Sequence, residues 1–251
     1  MGVSCHSLSG YDRLKVLFTA LNPGTREPFL FNYDMVARTG LSTKDFIAPT
    51  GFDFRERRYF RMGDQIGAVS YLNILASELS DKMLAVISYI FKRGGEITPL
   101  ALQKILYYVQ GIYMVLQGTA IYSEDCEAWV HGPVYEPVYS MFKNFKYNPI
   151  DDSRYIIFRD RYRELTEDEK KAIDLVLESF GMYSGKMLEF ITHNETPWVD
   201  ARGNCLPSEI CKEIITKSAI GEYFQGVAKK YDIGTVEGLN QYIHDKSERH
   251  I

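Results

Sequence analysis

The stretch TPLALQKILYYVQGIYMVLQG, residues 98–118, sets the strongest constraint on the fold. Leu102, Ile105, Leu106, Val109, Tyr113 and Leu116 recur at three- and four-residue spacing, the period of an α-helix. Thr98 suits the N-cap, Pro99 the first helical position and Gly118 the stop. The apolar residues fill more than one stripe. A helix of that kind must be covered on several sides, so it is expected at the centre of a helical core.

The rest of the chain supplies the cover. DKMLAVISYIFKRGG reads as a helix stopped at Gly94–Gly95. EPVYSMFKNF reads as another, and RYIIF (Arg154–Phe158) as a short strand. LTEDEKKAIDLVLESFG opens with a capping box, Thr166 and Glu169, and closes at Gly181. Ser184 and Thr216 cap two further helices, SGKMLEFITHN and TKSAIGEYFQGVAKKY. After Asp232 the chain is polar and reads as a loose tail. The region before about Lys82 has another texture. YDRLKVLFTALN (Tyr11–Asn22) reads as a short helix and NPGTREPF as a loop. A strand carrying Phe52, Phe54, Tyr59 and Arg61 turns at Met62–Gly67 and returns through AVSYLNI as a hairpin.

Composition excludes several classes. The net charge is -4, with +1 on residues 1–82 and -5 on 83–251, so the basic footprint of a nucleic-acid binder is missing. The short run RERRYFR is interleaved with Glu56 and reads as a solvated edge. No apolar run reaches the ~20 residues that span a bilayer. Cys5, Cys126, Cys205 and Cys211 form no CxxC pair, and the start lacks the apolar core of a signal peptide. The expectation is a cytoplasmic chain with reduced thiols.

Glu127–Tyr139, EAWVHGPVYEPVY, concentrates Trp, His, Gly, two Pro and two Tyr. Pro133 fixes its own φ, biases Gly132 away from helix and suits the start of the next helix; Pro137 falls within that helix's first turn. Taken in order, LQKILYYVQG (102–111), YSEDCEAWVHGPVYEPVYSMF (122–142), MLEFITHNETPWVDARG (187–203) and ITKSAIGEYF (215–224) resemble the Panacea domain. That domain occurs in SocA-like antitoxins and in the element-associated protein GepA. The resemblance covers about residues 86–227. It implies a compact helical domain that binds and neutralises a protein toxin, by direct block or as an adaptor to a protease. Residues 1–82 resemble an early region of conjugative type IV secretion ATPases. They lack GxxxxGK[ST], so no phosphate cradle is expected there.

The expected architecture is therefore a predominantly α domain with a short β element (83–232), preceded by an α+β fragment (1–82) and followed by a polar tail (233–251). No enzyme, cofactor or metal is expected. Cys205 and Cys211 lie too far apart in sequence for a zinc pair, and His193 has no helical partner. Cys126 and His131 could be written as a thiol–base pair, but a strand end separates them and no oxyanion motif accompanies them. Candidate partner-binding residues are Tyr107, Tyr108, Trp129, His131, Gly132, Pro133 and Tyr135. Gln103, Lys104, His193, Trp198 and Arg202 are expected to be structural. Among these, His131 reads as a polar cap on the following helix, His193 as a cap on its own helix, and both Trp as core anchors. The rival to the antitoxin reading is a non-catalytic regulatory or structural protein of a conjugative element or prophage.

Overall fold

The computed structural model describes residues 5–6, 17–21, 28–32, 76, 78–93, 95–150, 156–209 and 211–248. The chain divides into two units, 1–77 and 78–251. In the first, β1 (Cys5–His6), β2 (Leu17–Leu21) and β3 (Pro28–Asn32) form an antiparallel sheet in that order. β2 and β3 pair from Leu17 with Asn32 to Leu21 with Pro28. The helix expected over Tyr11–Asn22 is thus overturned at Leu17–Leu21. LFTAL and PFLFN are apolar runs separated by six residues beginning Asn-Pro-Gly, and cross-strand pairing outweighs helical propensity there. The hairpin expected over 52–74 lies outside the described residues.

The second unit is mostly helical. Its helices are α1 (Asp81–Arg93), α2 (Pro99–Gln117), α3 (Glu136–Phe142), α4 (Glu167–Phe180), α5 (Gly185–Thr192), α6 (Thr196–Arg202), α7 (Lys217–Ala228) and α8 (Val236–Glu248). A small antiparallel sheet runs in the order β5 (Gly132–Val134), β4 (Cys126–Trp129), β6 (Ile214–Ile215).

α2 is the central helix. It packs against α3, α4, α5, α7 and β5, and every residue from Ala101 to Ile112 is buried. Its ends follow the sequence signals. Thr98 Oγ1 accepts from the Ala101 N–H at 3.3 Å, and Gly118 takes a left-handed φ of 74° while its N–H reaches Met114 O. The Thr166–Glu169 capping box forms on α4, and Glu169 also accepts from Lys82 Nζ at 2.7 Å, tying α1 to α4. Ile156–Phe158 is a 3-10 turn, not a strand. Phe158 is buried there between Phe91 and Phe142, and its carbonyl accepts from Ser88 Oγ on α1. The segment read as a polar tail holds α8, which buries Leu239, Tyr242 and Ile243 against α4 and α5.

α2 and α7 meet at glycine. A Cβ on Gly111 would lie 2.2 Å from the Phe224 ring. Gly111→Ala is expected to lose about 2 kcal/mol in urea unfolding, because the overlap exceeds the ~1 kcal/mol gained in helix propensity. Phe224→Leu in the same chain should return part of that loss. A stabilised Gly111→Ala would contradict this packing.

Candidate functional site

The corner at 126–142 is built by pairing and then fixed by side chains from elsewhere. β4 and β5 pair Glu127 with Val134, Ala128 with Pro133 and Trp129 with Gly132. Pro133 has no N–H to give, and Ala128 opposite sends its own N–H to Glu213 O at 2.9 Å. Pro133 therefore lies in a strand. Pro137, not Pro133, occupies the first turn of α3.

Gly132 is required twice over. Its φ is +93°, and an added Cβ would stand 2.8 Å from Lys104 Nζ and 2.9 Å from Thr192 Oγ1. Lys104 is fully buried on α2 and donates to Pro133 O at 2.8 Å. Its neighbour Gln103 accepts from the Tyr135 N–H at 2.8 Å. Two consecutive helical residues thus hold alternate residues of the corner. About two turns on from Gln103, Gln110 treats the entry to the corner alike, accepting from the Ile121 N–H and donating to Tyr122 O.

The other side is held by α6. Trp198 Nε1 donates to Trp129 O at 2.9 Å. Arg202 Nη1 donates to Ala128 O at 3.0 Å, and its Nη2 donates to Leu206 O and Glu209 O. These two residues, one helical turn apart, fix successive carbonyls of β4. His193 stacks on Trp198 at 4.1 Å between ring centroids, rather than capping α5 with its ring. Burial pulls its pKa down, which favours the neutral ring. Behind the corner, Glu195 accepts from Tyr108 Oη at 3.0 Å and from Tyr242 Oη, joining α2, the start of α6 and α8. Burial raises its pKa.

These contacts sort the candidate residues. Tyr107, Tyr108, Gly132, Pro133 and Tyr135 are buried, so the surface around them is made by others. Tyr108 stacks on Phe180 at 4.0 Å and is core. Trp129 is half-buried, edge-on to Tyr139, with Nε1 on Glu127. His131 is exposed at 64% and sits in the β4–β5 turn, four residues before the Tyr135 N-cap of α3, so it does not cap that helix. Its Nδ1 donates instead to Glu189 Oε1 at 2.9 Å, and Lys186 donates to Oε2 at 2.8 Å. Burial pushes the Glu189 carboxyl up, but these two donors outweigh it and hold it below its ordinary value. Glu189, Glu195 and Gln110 were missed by sequence reasoning. Glu195 lies inside the quoted THNETPW run, but nothing in one sequence separates a buried carboxylate from an exposed one.

Cysteine chemistry also differs from expectation. Cys205 and Cys211 form a disulfide, with Cα atoms 6.0 Å apart. Cys126 is a fully buried thiol whose pKa burial pushes up to about 12, at the opposite end of β4 from the His131 turn. Such a thiol is a poor nucleophile. Among the described residues no three His, Cys, Asp or Glu side chains gather as a metal site, and no helix is long and apolar enough to cross a membrane.

Lys104, Trp129, Gly132, Trp198 and Arg202 come from three sequence-distant motifs and meet at this one corner. Residues 102–199 match the family described as "Antitoxin SocA-like, Panacea domain". That match begins at the first residue of LQKILYYVQG and ends beyond Trp198, so the matched residues contain most of the polar frame of the corner. Antitoxin SocA of Caulobacter vibrioides (strain NA1000 / CB15N) is 30% identical over 115 residues, covering 41% of this chain and 58% of the relative. The chain thus spans little more than half the length of that curated relative. No solved structure matches.

Burial lowers the Lys104 ammonium from its ordinary 10.5 to about 7. Between those values the unfolded chain keeps a proton that the folded chain has lost, so Lys104 makes stability rise with pH above about 7. Cys126 opposes this, since its unfolded thiol ionises first. The difference between wild type and Lys104→Met isolates the lysine. Urea unfolding should show wild type gaining about 2 kcal/mol on Lys104→Met between pH 7 and 9. A difference that does not change with pH would refute the assignment.

Proposed function

We propose that this chain is a non-catalytic, antitoxin-like protein that binds a protein toxin and neutralises it. The observation that carries the reading is the use made of the Panacea residues. Gln103, Lys104 and Trp198, with Arg202 just beyond the matched residues, each make a side-chain hydrogen bond with the backbone of the corner. Side chains committed in this way hold a surface in shape and do not turn over a substrate. The match to the SocA-like family supports the same reading.

The contact face is the β4–β5 turn with the adjoining face of α5. There Trp129 shows part of its ring, and His131 and Lys186 are exposed. Aromatic and basic groups of this kind are common anchors in protein interfaces. The toxin is expected to be encoded beside this gene. Binding either blocks its active surface or delivers it to a protease.

Co-expression with the product of the adjacent gene tests the reading. The expected result is growth rescue by the wild-type chain and capture of the toxin in a purified complex. Unchanged toxin abundance indicates direct block, and protease-dependent loss indicates delivery. Trp129→Ala and His131→Ala are each expected to weaken binding about tenfold or more, a loss of ~1.4 kcal/mol, with the fold retained. If no neighbouring product is toxic or bound, the reading fails.

A further inference from the structure

The loop between α6 and β6 contains a feature that the antitoxin reading does not use. Cys205 and Cys211 close a disulfide around Leu206–Glu209. The enclosed turn is not free-standing. Arg202 Nη2 holds both Leu206 O, at 2.6 Å, and Glu209 O, at 3.3 Å, while the Leu206 N–H is held by Glu209 Oε2 at 2.9 Å. The same guanidinium donates to Ala128 O on β4. Two residues beyond Cys211, Glu213 O takes the Ala128 N–H, and β6 then pairs with β4. The disulfide therefore closes a connection whose two ends both grip β4 at Ala128.

The two sulfurs differ in access. Cys205 is half-exposed, whereas Cys211 is 1% exposed. The Cys126 thiol on β4 is fully buried and poorly nucleophilic, so it does not compete for exchange.

We propose that Cys205–Cys211 is a reversible redox clip that sets the order of the α6–β6 connection and, through Arg202 and Glu213, the setting of β4. Reduction by a thiol such as glutathione starts with thiolate attack on the accessible Cys205 sulfur. That forms a mixed disulfide, and Cys211 leaves as a thiolate that takes up a proton. A second thiol attacks the mixed disulfide. Cys205 and Cys211 end as two thiols, and two reductant thiols end as one disulfide. Opening the ring restores chain entropy to a loop held otherwise by Arg202 and Glu209.

Lys212 is exposed next to the clip and offers a trypsin site within the connection. The full chain is equilibrated in glutathione disulfide or in reduced glutathione, and its thiols are mapped by alkylation and mass spectrometry. The oxidised chain should carry no free thiol at 205 or 211, and the reduced chain two. Cleavage after Lys212 should be about tenfold faster or more in the reduced chain. The peptide containing Ala128 should also exchange its amides faster. Both effects should reverse on reoxidation. Cys205→Ser should behave as the reduced chain in either buffer; if it does not fold, the reduced wild type provides the comparison. Free thiols at both positions in glutathione disulfide would overturn the proposal. So would equal cleavage or equal exchange in the two states.

Discussion

The hydrogen bond from Lys104 Nζ to Pro133 O is the interaction on which the corner depends. Burying an ammonium is costly, so burial favours the neutral amine, which still has an N–H to give to the Pro133 carbonyl. Pro133 creates the need for that donor. Its ring sets the strand direction, and its carbonyl faces the central helix, where a second strand cannot reach. Glycine is favoured at 132 by its φ of +93°, and a Cβ there would also crowd the end of the lysine. Helix α2, strand β5 and the positive φ of Gly132 are one linked constraint.

The rest of the polar frame follows the same logic. A sheet with strands of four, three and two residues cannot pair all its own backbone groups. Lys104, Trp198 and Arg202 supply donors to strand carbonyls, and Gln103 and Gln110 satisfy backbone groups of the segments flanking the strands. Glu195, with Tyr108 and Tyr242, extends the frame to the last helix. Interior residues define the corner, and the turn at Trp129–His131 carries its more exposed groups.

Much of this was legible in the sequence wherever the signal was local. Thr98, Pro99 and Gly118 bound α2, and Thr166 with Glu169 opened α4, because capping depends on residues within one turn. Distant partners were harder to read. Leu17–Leu21 became a strand because Pro28–Asn32 returns beside it, and Ile156–Phe158 coiled into a turn because Phe158 is drawn between Phe91 and Phe142. The final helix looked polar because its buried face needs few residues, Leu239, Tyr242 and Ile243. At the site, a change of direction was readable from Gly132 and the place of Pro137 in the next helix, whereas Pro133 was expected to start that helix and lies in β5. The burial of Lys104 and Glu195 was not readable, since charge in a sequence gives no sign of depth. The same limit put Tyr107, Tyr108 and Tyr135 among surface candidates, although all three lie in the core.

Amine acylation of the folded chain near pH 8 tests the central claim most directly. Lys104 is held with a pKa of about 7, so at that pH it is mostly the neutral, nucleophilic amine. If an acylating reagent could reach it in that environment, it would be among the first lysines to react. The account predicts the reverse: exposed Lys186 and Lys212 acylate readily, and Lys104 reacts only when the chain unfolds. Rapid acylation of Lys104 in the native protein would contradict the buried clamp beneath the Gly132–Pro133 corner.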